Sequence, residues 1–527
     1  MVRRMRNAKV GHIASLHALR GIAALGVVAL HLSEATPGLP VRAYTDLIAN
    51  MFYAVDLFFI LSGVVMAAVY GHMFEASVSA RDCAVFLIAR VARIWPMLAI
   101  ASVLALLASL ASQQAGTVIA SSGGLTASFL AEFFGLSGWF DWAWLNPPSW
   151  SLSAEFAVYL ATPFLILAFK RASLRLSLAM LVILPLAPGL LYGLATSHFL
   201  QHPLGAELPL GYFLVAPEAT WFWNMKGPFI IMRALSMFLC GLALFRIARS
   251  GHLERWSGPA SLAIVLALLL AGLHLGIPRL LVFLLMIALV ACALGGRMRN
   301  HRIFAKPLLY RLGEISLGVY LIHWPLIELT RAAWATLGTS PISEAGPLLS
   351  LAFIVMTGAI IIACANLFYT LFEVPARRGI RKGGQRLLGK GNGSPLLARA
   401  GMRRTIVTAA LSTAIVFLCI PAGILSQGFL VRAPDAAQTP SILRVDQLPS
   451  GAAIIFDHTA PLPVRVRNSD TAYAYLGPHG RNATVLAPGM PLEIMVEERP
   501  DLSVPARIAI QAGRNHAVVE VSSRHSP

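Results

Sequence analysis

Residues 347–372 read PLLSLAFIVMTGAIIIACANLFYTLF, twenty-six positions without one Asp, Glu, Lys or Arg. A helix of that length rises about 39 Å, enough to cross a hydrocarbon core roughly 30 Å thick. In water such a segment would have no face to solvate, so it reads as a membrane span. The same signature recurs on both sides of it, near 14–33, 50–71, 92–112, 149–169, 175–197, 228–249, 259–275, 279–296, 312–336 and 405–426. Eleven spans place the two ends of the chain on opposite sides of a bilayer.

Composition agrees. Of 527 residues, 57% are apolar and only 13% charged, and the mean hydropathy is +0.70. Soluble domains run nearer a quarter charged. A soluble enzyme, a disordered chain and a disulfide-stapled secreted module are thereby excluded. Cys83, Cys240, Cys292, Cys364 and Cys419 lie in or beside apolar runs without CxxC spacing. They read as small buried residues, not as a metal or redox site. The basic start, Met1–Lys9, lacks the small-residue cleavage site of a removable signal.

The net charge of +18 does not point to nucleic acid, because its distribution is wrong for that. Residues 428–527 hold nine Arg against nine Asp or Glu, so the excess lies wholly before them. Counted over alternate connections, one side of the bilayer carries twenty-seven Lys or Arg; the other has Arg42, Lys226 and Arg279 alone. The positive-inside rule then puts the N-terminus in the cytoplasm and the C-terminus outside. Trp139, Trp142, Trp144, Trp150, Trp221 and Trp223 fall at the outer interface, where amphipathic rings settle.

The expected organisation is a membrane core over 1–380, a basic cytoplasmic linker over 381–404, an eleventh span over 405–427 and an extracytoplasmic domain over 428–527. In that last stretch, short alternating runs near 452–457, 463–467, 472–476, 483–487, 492–497, 506–511 and 516–521 are broken by Pro, Gly, Asn and Asp. Brief strands at that spacing predict a small all-β sandwich following the all-α bundle.

Ionisable side chains inside a bilayer are costly, so each is a functional candidate. The first span holds Arg20 and His31, eleven residues apart. Eleven steps of 100° make about three turns plus 20°, which puts both on one face, roughly 16 Å apart along the axis. They line one passage, or else snorkel separately to the inner and outer headgroups. Asp56 sits beside two Phe in the second span and calls for an Arg or His partner on another helix. Arg90 and Arg93, at i and i+3, share a helix face and suit an anionic phosphate, or simply mark topology. Glu155 lies a turn below Trp150, His323 precedes Trp324-Pro325, and Glu373-Val-Pro-Ala-Arg377 closes the tenth span. Pro325 frees backbone carbonyls near His323.

Four segments in order, Arg20-(ten residues)-His31, Val55-Asp56-Leu-Phe-Phe-Ile-Leu-Ser62-Gly63, Trp150-Ser-Leu-Ser153-Ala-Glu155 and Tyr320-Leu-Ile-His323-Trp-Pro325, resemble the membrane-bound acyltransferase type 3 family, over about residues 12–380. Ala54 stands where the family usually has Gly, Val64 where an aromatic is common, and Phe156 where a second Glu is frequent. The resemblance implies a ten-helix acyltransferase core that moves an acyl group, commonly acetyl, from cytoplasmic acyl-CoA to a hydroxyl of an outer glycan. Acetyl-CoA is then a co-substrate, with no bound cofactor and no metal. It makes His31 the catalytic imidazole with Arg20 as its motif partner, and sets Arg90 and Arg93 at the donor entrance. Asp56, Glu155 and His323 join the catalytic set; Ser62, Trp150, Ser153, Tyr320 and Glu373 are the candidate substrate contacts. Asp56 or Glu155 is expected to fix the tautomer of His31. The partners expected are the bilayer, acyl-CoA and a glycan, with glycan-synthesis or export proteins at the C-terminal domain and no nucleic acid. The expected location is the cell inner membrane. A glycan or lipid transporter without bond chemistry is the rival reading, since intramembrane charges and Pro-broken helices suit it too.

Overall fold

A computed structural model describes residues 13–114, 125–139, 145–187, 228–336 and 345–388, apart from a few isolated positions, together with the backbone of seven strands between 441 and 521. Six helical stretches among these are long and apolar enough to cross a membrane: Ala14–Ala35, Ala49–Phe74, Ala80–Ala111, Pro147–Lys170, Ile230–Arg249 and Pro347–Arg386. The expected fifth span is described only as far as residue 187, and the eleventh lies outside the described residues.

In chain order the helices are α1 (Ala14–Ala35), α2 (Ala54–Phe74), α3 (Ala80–Gln114), α4 (Leu125–Phe133), α5 (Trp150–Lys170) and α6 (Leu174–Ile183). They continue with α7 (Pro228–Arg249), α8 (Pro259–Leu275), α9 (Arg279–Leu294), α10 (Pro307–Thr336), α11 (Pro347–Phe368) and α12 (Val374–Leu387). Punctuation explains the ends. Pro259 and Pro347 occupy first helical positions, where a missing N–H costs nothing. Ser173 caps α6 by accepting from the N–H of Leu176 at 3.1 Å. Gly276, at φ 62°, closes α8 in the left-handed conformation.

Two helix pairs position the polar groups. Gly21 on α1 meets Gly313 on α10: a Cβ on Gly21 would lie 2.9 Å from Gly313 N, and one on Gly313 would overlap the carbonyl oxygen of His17. On α2 and α7, a Cβ on Gly63 would overlap Phe238 O, and one on Gly241 would overlap Ile60 O. In lipid, where apolar association gains little from water, such backbone contact is what holds helices together. Both pairs run parallel. His31 and His323 each stand ten residues beyond Gly21 and Gly313, so the crossing delivers both imidazoles to one level about 15 Å away. Asp56 stands seven residues before Gly63 and Arg233 eight before Gly241, which aligns them in the same way.

The C-terminal stretch forms a separate compact unit. Its strands are β1 (Ser441–Leu448), β2 (Gly451–Asp457), β3 (Val464–Asn468), β4 (Tyr475–Leu476), β5 (Pro491–Glu497), β6 (Ala506–Ala512) and β7 (Asn515–Val521). They pair antiparallel in the orders β1-β2-β5-β4 and β3-β6-β7. Strand β1 has no counterpart among the expected runs, and 483–487 lies outside the described residues.

Candidate active site

The two imidazoles face each other. His323 Nε2 lies 3.1 Å from His31 Nδ1. The ring centroids are 5.0 Å apart, and Trp324 meets His31 edge-on at 5.2 Å. His323 is fully buried and His31 half-buried. Backbone carbonyls assign the protons. His323 Nδ1 lies 2.7 Å from Tyr320 O, and a carbonyl only accepts, so Nδ1 carries the hydrogen and Nε2 keeps its lone pair. His31 Nδ1 lies 3.1 Å from Val27 O as well as from that lone pair. Facing two acceptors, it too must be the donor. The Nε2 of His31 is left as a basic lone pair, the state a general base requires.

Asp56, fully buried, takes a two-pronged bond from Arg233, at 2.8 Å from Nε to Oδ1 and 2.6 Å from Nη2 to Oδ2. The guanidinium also lies 5.2 Å from the ring of Trp150. Such paired geometry compensates the cost of burying both charges. Glu155 accepts from the hydroxyl of Ser62 and, at 2.6 Å, from that of Tyr159. Arg20 is half-buried within electrostatic reach of Glu155, Tyr159 and Arg90. Arg90 donates to the hydroxyl of Tyr70 and lies 4.8 Å over that ring. Arg93 donates to Glu373, a fully buried carboxylate on a π-helical turn, and Arg377 lies 3.8 Å from the same oxygen. Tyr320 joins the halves: its hydroxyl donates to Pro148 O at 2.9 Å, with Ser151 Oγ also at 2.9 Å, and its ring meets Phe58. It lies within electrostatic reach of Arg233, Glu155 and Asp56.

The predicted residues fall into local groups: Arg93 with Glu373, Arg90 with Tyr70, Ser62 with Glu155, Asp56 with Arg233, and His31 with His323. Two placements differ from expectation. Asp56 and Glu155 are engaged by Arg233, Ser62 and Tyr159, and the described bonds of His31 run to Val27 and His323. Backbone and a second imidazole, not a carboxylate, fix the tautomer. Ser153 is fully buried and holds the turn Ser137–Trp139, at 3.1 Å from Ser137 Oγ and 3.2 Å from Gly138 N, so it supports a loop instead of facing the imidazoles.

The sequence reading missed Arg233, Tyr70 and Tyr159. Arg233 was detectable by the argument that singled out Asp56, since it is a cation within an apolar span. It also missed Glu132 and Asn146. The backbone N–H of Asn146 donates to Glu132 Oε1 at 3.2 Å. Helix α4, nine residues long, is too short to cross a bilayer. Burial pushes the carboxyl of Glu132 up to about 8, against weaker opposing bonds from Ser149 and Asn146.

Residues 13–366 match the model of a family described as an acyltransferase domain. The acyltransferase MdmB of Streptomyces mycarofaciens is 27% identical over 395 residues, covering 70% of this chain and 93% of its own. No solved structure matches.

Proposed function

The chain belongs to the acyltransferase type 3 family and is a membrane acyltransferase; from that premise we propose that it is an O-acyltransferase, moving acetyl from cytoplasmic acetyl-CoA to a hydroxyl of an extracytoplasmic or lipid-linked glycan. The observation that carries the reading is the placement of His31 Nδ1 against Val27 O and His323 Nε2, which assigns the proton to Nδ1 and leaves the lone pair of the neutral ring on Nε2. That nitrogen takes the proton of the acceptor hydroxyl as its oxygen attacks the thioester carbonyl. A C–O bond forms, the C–S bond breaks, and the imidazolium returns its proton to the departing thiolate. The charge that develops on His31 is shared with the lone pair of His323 through the Nδ1–H, which stays in place throughout. Acylation of His31 itself is the variant with one more step.

The donor's phosphates stay at the arginine-rich end, beside Arg90 and Arg93, while the acyl arm reaches past Arg20 toward His31 through a wet cavity open to both faces. Ser62, Trp150, Tyr320 and Glu373 flank that path. In this reading the arginine-rich end is cytoplasmic and the membrane is the inner one. The eleventh span carries a β sandwich outside that contacts the glycan or its synthesis and export machinery.

Replacing His31 with Ala should abolish transfer of label from radioactive acetyl-CoA to membrane glycans while the protein reaches the membrane at its normal level. Full transfer by that variant refutes the role of His31. No transfer even by the natural protein favours a carrier without bond chemistry.

A further inference from the structure

Pro325 interrupts α10 two residues beyond His323. A proline nitrogen bears no hydrogen, so the carbonyl of Leu321, four residues back, loses its helical donor. Asn146 supplies a replacement, its Nδ2 donating to Leu321 O at 2.9 Å. The side chain is fully buried and comes from the segment ahead of α5. A helix broken at this point would otherwise leave a carbonyl unsatisfied within the turn that carries His323, where water cannot serve it.

Asn146 is in turn held by Glu132, through the bond from its backbone N–H to Oε1. Glu132 is 1% exposed. Ser149 is a further partner of the Glu132 carboxyl, while Glu132 Oε2 and Asn146 Oδ1 are both buried and make no hydrogen bond among the described residues. An orphaned buried acceptor forfeits its hydration without a compensating bond. A proton on the carboxyl would turn Oε2 from an acceptor into a donor. Burial favours that neutral form, with the carboxyl pushed up to about 8.

We propose that Glu132 is a positioning residue: a carboxylic acid that grips Asn146, so that Asn146 caps the carbonyl freed by Pro325 and sets the imidazole of His323 against His31. The kinetic part of this proposal rests on the reading of His31 as the base; the structural part does not. Glu132 touches no reacting atom and acts through Asn146 and Leu321.

The test compares Glu132→Gln, Glu132→Ala and Asn146→Ala with the natural protein. One readout is release of free CoA thiol from acetyl-CoA by membrane vesicles containing each variant. The other is the ring-nitrogen NMR signal of His323 in protein labelled with 15N-histidine, identified by its loss in His323→Asn. Glu132→Ala and Asn146→Ala should lower kcat about 10- to 100-fold, the scale of a misplacement near 1 Å, with KM for acetyl-CoA unchanged. Both should shift the His323 resonances. Glu132→Gln keeps an acceptor and a neutral donor, so its rate and resonances should match the natural protein. If Glu132→Ala does not accumulate, Asn146→Ala carries the same comparison. Unshifted His323 resonances in the alanine variants overturn the proposal, as does a Glu132→Gln variant as impaired as Glu132→Ala. Should His31→Ala release thiol at the natural rate, the reading of the base fails, and the resonances still decide the role of Glu132.

Discussion

Asp56 and Arg233 illustrate what a single residue contributes when its charge is buried. The two-pronged bond compensates both charges, so removing one residue takes that compensation from the other. Asp56→Ala or Arg233→Ala alone should cost about 3–5 kcal/mol, whereas Asp56→Leu with Arg233→Met should recover much of that loss. Thermal melts of detergent-solubilised protein would show it, and strictly additive losses would mean that the pair is not a unit. Glu132 makes the opposite case, a carboxyl kept neutral. Its folded-state value near 8 lies above the ordinary 4.5, so the native state holds a proton that the unfolded chain releases. Its contribution is complete below pH 4.5 and is lost as pH climbs through 8, at about 1.4 kcal/mol per pH unit in between. Glu132→Gln should flatten that component. The difference between the two melting curves over pH 6 to 9 measures it, and parallel curves would show that the carboxyl is already ionised in the native state.

At the scale of helices, the histidine pair depends on a glycine crossing, because the imidazoles can meet only if α1 and α10 touch ten residues earlier. Gly313→Ala must displace the carbonyl of His17 and should cost about 1–3 kcal/mol together with a loss of acyl transfer. Gly379→Ala, where an added Cβ meets open space, is the matched control and should be neutral or slightly stabilising. Equal effects of the two would show that the crossing is not tight. The same crossing explains what was legible in the sequence. Apolar runs without charges identify spans because no other solvent suits them, and ionisable residues inside those runs identify His31, His323, Asp56 and Glu155. Which of these touch each other is set by helix neighbours, and a single span carries no record of its neighbour. Hence the sequence pointed to a carboxylate beside His31, where the structure has His323. The matching offsets from Gly21 and Gly313 hold that information, but only once α1 and α10 are known to be paired. Glu132 and Asn146 escaped for another reason: they lie between apolar runs, where a polar residue is unremarkable until its burial is seen.

Across the whole molecule, the residues proposed for chemistry run from Arg20 to Glu373 in the helical unit, and the C-terminal strands form a unit of their own. If donor cleavage belongs to the polar groups between Arg20 and Glu373, it should not need the second unit. A chain ending after Gln427 should therefore reach the membrane and release thiol from acetyl-CoA within about twofold of the natural rate, the tolerance expected of uncoupled sites. Acylation of surface glycans by cells carrying that truncation, measured separately by NMR of the extracted glycan, reports whether the strands select or dock the acceptor. Thiol release that collapses while the shortened protein still melts cooperatively would place part of the catalytic apparatus beyond residue 427. It would also contradict the proposed division of labour, in which every residue assigned to the chemistry lies between Arg20 and Glu373.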